Sequence, residues 1–99
     1  MELVRGSGNV FRDFDVVDAD AEQLRSILAA QIIQTLDERG LTVRDAERIT
    51  GVAAADFSRI RRANLERFTI DRLMRILNRL NYRVEVTVTL KPMPTAQYL

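Results

Sequence analysis

Arginine dominates the side chains of this sequence that can do chemistry. The chain carries fourteen Arg, and Lys91 is its one other cationic side chain. It contains no His and no Cys. Zinc sites built on those residues are excluded, and so are imidazole acid/base catalysis, thiol nucleophiles and disulfides. What remains is carboxylates, Ser/Thr, Tyr, Lys and Arg, with no nucleophile–base pair in view. No enzymatic activity, cofactor or resident metal is expected. A guanidinium, by contrast, is a planar fork of donors that fits phosphates and base edges.

The cations cluster. The net charge is +1, yet residues 1–38 sum to −5 and residues 39–99 to +6. Between Phe57 and Arg83 stand Arg59, Arg61, Arg62, Arg67, Arg72, Arg75, Arg79 and Arg83 against two acids, Glu66 and Asp71. A GC-rich coding sequence would raise Arg over Lys, but it would not gather the charge in one half. A basic half-domain points to a polyanionic partner.

Three other groupings carry less. Asp13, Asp15, Asp18 and Asp20 evoke a calcium loop, but Val17 and Asp18 stand where that loop needs an oxygen ligand and a Gly. An acidic arm ending in a helix cap, or docking on a basic partner, accounts for them better. Gly6-Ser7-Gly8 lacks the preceding strand and the remaining residues of a phosphate loop. Tyr82 and Tyr98 read as packing and tail residues.

The elements that would position the arginines follow from periodicity. Residues 1–17 show no sustained period and are expected to form an arm, with Val10, Phe11 and Phe14 able to dock part of it. Asp20, or Asp18, is expected to cap a first helix. Leu24, Leu28, Ile32 and Leu36 then recur every four residues, widened by Ile27, Ala29 and Ile33, until Gly40 stops the run. Thr42 with Asp45 marks a second, short helix carrying Val43, Ala46 and Ile49 and ending at Thr50-Gly51. A third runs from about Ala54 to Arg62, with Phe57 and Ile60 inward. Thr69 caps a fourth, with Asp71 in its first turn. Its buried face is Ile70, Leu73, Met74, Leu77 and Leu80, and Arg72, Arg75 and Arg79 are expected on other faces, in solvent. Residues 83–90 change period: apolar and polar residues alternate as in a half-buried strand, stopped by Pro92 and Pro94.

Ninety-nine residues, 46% of them hydrophobic, are enough for one globular domain with a modest core. The boundaries read as an arm over 1–17, a domain over 18–90 and a tail over 91–99. No apolar run approaches a membrane span, and the N-terminus lacks the apolar stretch of a secretory signal, so no membrane partner and a cytoplasmic location are expected.

Two short helices joined by a glycine turn and packed on a longer one are the parts of a helix-turn-helix. Gly51 sits in the turn, Phe57 and Ile60 anchor the second helix, and small Ala46 permits close packing. In such a motif the second helix enters the DNA major groove, led by its N-terminal residues.

The ordered set Ser7-Gly8-Asn9-Val10-Phe11, Arg39-Gly40-Leu41-Thr42, Thr50-Gly51-Val52, Phe57-Ser58-Arg59-Ile60 and Phe68-Thr69-Ile70-Asp71-Arg72-Leu73-Met74, closed by the alternating strand, resembles the lambda-repressor-like (Xre-type) helix-turn-helix proteins. Within them it is similar to the HigA-like antitoxin group. The resemblance spans roughly residues 8–90. It implies a mainly α domain of four to five helices, and a DNA-binding homodimer that represses its own operon. A ribonuclease toxin of the RelE/HigB kind is the further implied partner. The sequence departs from the family at Val43 and Ala54, where many members carry Gln, and at Glu47, where a small Ala is usual. The candidates for base and phosphate contacts are Arg44, Ser58, Arg59 and Arg62, with Thr42 and Asn64 as phosphate donors. Ala54 and Ala55 are candidates for thymine methyls, and Asp56 for a cytosine amino group.

The strand over 83–90 needs a ladder partner. Pairing with the same strand of a second subunit is the simplest expectation, with Val84, Val86, Val88 and Leu90 as dimerisation residues. Pairing with the N-terminal arm or with a toxin edge stays open. The competing functional reading is a protein-interaction module whose DNA binding is weak or lost.

Overall fold

The computed structural model describes residues 9–93, with side-chain surroundings from residue 19 onward. Four helices follow in order: α1 (Asn9–Arg39), α2 (Val43–Thr50), α3 (Ala54–Arg61) and α4 (Ile70–Arg79). Compactness divides the chain into two units, Gln23–Glu85 and the flanking residues 1–22 with 86–99.

The first unit holds the core. Leu28, Ile32 and Leu36 come from successive turns of α1, so one stripe of that helix is buried. Against it pack Ala46 of α2, Phe57 and Ile60 of α3, Phe68 of the following loop, and Leu73, Ile76, Leu77 and Leu80 from α4 and its end. Ile76 is an addition to the face expected from periodicity. Leu24 and Ile27 are corrections in the other direction: both are exposed, Ile27 by half. Leu24 lies a turn before buried Leu28, and Ile27 points away from the stripe of Leu28, Ile32 and Leu36.

Local signals set the helix ends. After α1, Gly40 has φ +62°, Gly40 N–H donates to Asp37 O, and Leu41 N–H donates to Leu36 O at 2.8 Å. That pair of bonds closes the helix in a Schellman arrangement. At the start of α2, Thr42 Oγ1 accepts from Asp45 N–H and Thr42 N–H donates to Asp45 Oδ2, both at 3.0 Å. This is the reciprocal cap that Thr42 and Asp45 announced. Gly51 ends α2 with φ +79°, its N–H donating to Glu47 O. Thr69 Oγ1 caps α4 by accepting from Arg72 N–H.

In two places the structure differs from the sequence reading. No helix begins at Asp18 or Asp20, because α1 already runs from Asn9. Nothing between Asn9 and Asp20 breaks a helix: no Gly or Pro stands there. The expectations for residues 1–8 and 94–99 lie outside the described residues, as do those for the side chains of Asp13, Asp15 and Asp18.

The second difference is at 83–90, where no strand forms among the described residues. A strand is defined by its ladder, and the described part of the chain offers 83–90 no neighbour to hydrogen-bond. Val84 rests half-buried against the core. In the flanking unit Val86, Val88 and Leu90 are 61%, 75% and 88% exposed.

Candidate nucleic-acid interface

Helices α2 and α3 pack on each other through Ala46, which is fully buried. Glu47, noted as a departure at this contact, is instead exposed and leaves the packing undisturbed. Val43 is half-buried against the core, which explains an apolar residue there in place of a polar reader.

On α3 the inward side is Asp56, Phe57 and Ile60. The remaining positions divide the candidate residues. Ala55 and Arg62 are exposed, while Ala54, Ser58 and Arg59 are half-buried. Arg62 has no carboxylate partner among the described residues, and the same holds for exposed Arg44 on α2. Arg61 is turned to α1, where its Nη2 donates to Asp37 Oδ1 at 2.8 Å. Thr42 is exposed, but its hydroxyl oxygen already accepts the capping bond.

Asp56 is not available to a cytosine. Its side chain is only 12% exposed and is held by two arginines. Arg59 Nη1 donates to Oδ1 at 2.8 Å and Arg72 Nη2 donates to Oδ2 at 2.6 Å. Arg72 also stacks over Phe68, with its guanidinium carbon 4.9 Å from the ring centre. The carboxylate thereby ties α3 to α4 and fixes the direction of Arg59. The spacing of 56 and 59 gave a signal for one pair; the partner sixteen residues on gave none.

Two basic clefts flank α3. One is lined by Arg59, Asn64, Glu66 and Arg67, so Asn64 lies where a phosphate donor was expected and Arg67 joins it. The other lies between the α2–α3 turn, Gly51–Ala53, and α4, where Arg72, Arg75, Ile76 and Arg79 form its wall. Arg75 and Arg79 are exposed, as expected of a solvated face, and Arg72 is half-buried. They recur at i, i+3 and i+7, one face of a helix, while Leu73, Leu77 and Leu80 hold the opposite face in the core.

The family model for a helix-turn-helix domain matches residues 10–89, and the chain belongs to that family. No curated protein and no solved structure matches the chain. The fold and the family together make this a helix-turn-helix protein whose partner is DNA. Among the described residues, no helix is long and apolar enough to cross a membrane.

Proposed function

We propose that this protein is a sequence-specific transcriptional repressor that binds its operator as a homodimer and serves as the antitoxin and autoregulator of a toxin–antitoxin operon. The observation that carries the repressor reading is the surface of α3. Its first turn presents Ala54 and exposed Ala55, its far end presents Arg62, which has no carboxylate partner among the described residues, and basic clefts lie at both ends. Thr42, Arg44 and Asn64 supply phosphate contacts, which carry most of the affinity. Ser58, Arg59 and the alanines supply base readout. A cytoplasmic location goes with that ligand.

The homodimer is supported by the segment after Val84, whose exposed Val86, Val88 and Leu90 alternate with polar residues. Two copies of that segment paired about a two-fold axis would satisfy both ladders and set two copies of α3 on one operator. Binding of the purified protein to a duplex carrying its own promoter, compared with a scrambled duplex at moderate salt, tests the repressor reading. Equal affinity for the two removes sequence specificity.

The antitoxin role is tested by co-expression with the product of the neighbouring reading frame. Growth arrest by that product alone, relieved by this chain, supports it. The second reading, an interaction module with weak DNA binding, is favoured by half-buried Val43 and by the engagement of Arg59 with Asp56. It prevails if the neighbour co-purifies while no duplex shifts.

A further inference from the structure

We propose that the cleft between the Gly51–Ala53 turn and α4 is a DNA-backbone phosphate site, with Arg75 and Arg79 as its ligating cations and Arg72 as a fixed wall. The inference rests on the DNA-binding reading and adds to it a contact surface outside α2, α3 and the loop that follows them.

The cleft measures about 260 Å³, and its lining includes three arginines and no acid. The three are not equivalent. Arg72 is committed to Asp56 and Phe68. Arg79 has no carboxylate partner among the described residues. Its Nη1 donates to Thr50 O at 3.0 Å, the carbonyl end of α2, which fixes the guanidinium beside Gly51 while leaving other donors of the fork unused. A Cβ at Gly51 would lie 3.9 Å from that same Nη1, an ordinary van der Waals contact, so the guanidinium lies alongside the turn.

Arg75 reaches Asp71 Oδ2 at 3.2 Å, but the two side chains are 69% and 66% exposed. A surface pair of this kind holds its members weakly and yields to a better anion. The cleft thus has one cation pinned in place, one cation easily recruited, and no internal charge to neutralise them.

Its position selects the anion. Ala53, on the cleft wall, is the N-cap residue of α3, so whatever receives the first turn of α3 passes this rim. The major groove is about 12 Å wide and walled by phosphates, and an α-helix with its side chains is about as broad. A duplex that admits the first turn of α3 therefore brings a phosphodiester past Arg75 and Arg79. An acidic protein segment offers charge too, but nothing ties it to the N-terminus of α3.

The test is the salt dependence of duplex binding by the full chain, followed by fluorescence anisotropy from about 50 to about 200 mM salt. Arg75→Gln is the main variant. Arg75→Lys keeps the charge, and Arg48→Gln is the control: Arg48, in the last turn of α2, is as exposed as Arg75, pairs with Asp45 and is not among the residues lining the cleft. The expected result for Arg75→Gln is a log–log slope smaller by about 0.9, on promoter and scrambled duplexes alike, with Arg75→Lys restoring it. Arg48→Gln should leave the slope unchanged. Wild-type binding with an unaltered slope in Arg75→Gln overturns the phosphate site while leaving DNA binding intact. An equal loss in Arg48→Gln reduces the effect to net charge and also overturns it. If the wild type binds no duplex but Arg75→Gln weakens capture of an acidic partner protein, the DNA reading and the phosphate site fall together.

Discussion

Asp56 of α3 and Arg72 of α4 form a 2.6 Å ion pair that joins two consecutive helices across the loop between them. Arg59 shares the same carboxylate from the next turn of α3. Because Asp56 is the more buried member, its loss leaves two cations beside the core without their counter-charge. Asp56→Ala should therefore destabilise the domain by about 2 kcal/mol, the scale of hydrogen bonds to charged groups. In urea denaturation the midpoint should fall with the slope unchanged. A midpoint that stays put would mean the pairs contribute nothing to the fold.

Gly51 and Ala63 make opposite predictions from the same dihedral. Gly51 sits at φ +79° and Ala63 at φ +60°. A Cβ in the left-handed region costs roughly 1–2 kcal/mol, and space around Gly51 is adequate, so the cost of Gly51→Ala is conformational. That substitution should lower stability by about 1 kcal/mol. Ala63→Gly should raise it by up to about 1 kcal/mol, less the entropy of a freer unfolded chain. Thermal melts of both variants check the pair, and destabilisation by Ala63→Gly would contradict the argument.

The helix caps predict an acid limb. Asp45 lies below its ordinary value of 3.8, chiefly because Thr42 N–H donates to its carboxylate. Asp71 is lowered too, first by its hydrogen bond from Thr69. A carboxyl whose folded pKa is depressed stabilises the fold above its unfolded value, and loses that contribution as pH falls through the folded one. Wild type should therefore exceed Asp45→Asn/Asp71→Asn in stability at neutral pH. The gap should narrow once pH drops below 3.8. A gap that is constant down to about pH 2 would detach the caps from carboxylate ionisation.

What the sequence made legible follows from range. Thr42-Asp45, Gly40, Gly51 and Thr69 act within one helical turn, so the boundaries between α1 and α4 stood in the residue order. The core stripe of α4 was legible because 3.6-residue periodicity needs no partner to be seen. Leu24 misled because periodicity does not say how far along a helix the opposing surface extends, and Ile27 because it widens the stripe on a side the core does not reach. The interface was harder. Asp56 sits among the candidate readers by position, and only the approach of Arg72 from another helix removes it. The arginines of α4 were assigned to solvent because their helix backs the core, and Arg75 and Arg79 are exposed; what residue order did not show is the cleft they line with the α2–α3 turn.

Arg62 and Arg59 should separate affinity from specificity. Arg62 is exposed with no carboxylate partner among the described residues, so Arg62→Ala should weaken all duplexes alike and lower the salt slope by about 0.9. Arg59 is held in one direction by Asp56, the preorganisation that base readout requires. Arg59→Ala should reduce discrimination between promoter and scrambled duplex by about 1–3 kcal/mol. The double variant should give no gel shift at moderate salt. An intact shift would place both residues outside the interface.

The segment after Val84 decides the assembly. Val84 is anchored on the core, so the chain leaves the first unit at a fixed point, and beyond it Val86, Val88 and Leu90 are exposed on alternate positions. An isolated alternating segment has no reason to keep three large apolar side chains in water unless another strand covers them. Removing 86–99 spares Val84 and the core. The truncated protein should therefore keep the helical circular-dichroism spectrum and thermal transition of the full chain. In sedimentation, the full chain should run as a dimer and the truncated one as a monomer. Val88→Lys within the full chain should have the same effect, because one like charge per copy would face its mate across the two-fold axis. A truncated chain that still sediments as a dimer would transfer the interface to the helices, and the exposed Leu24 and Ile27 of α1 would be the next surface to test.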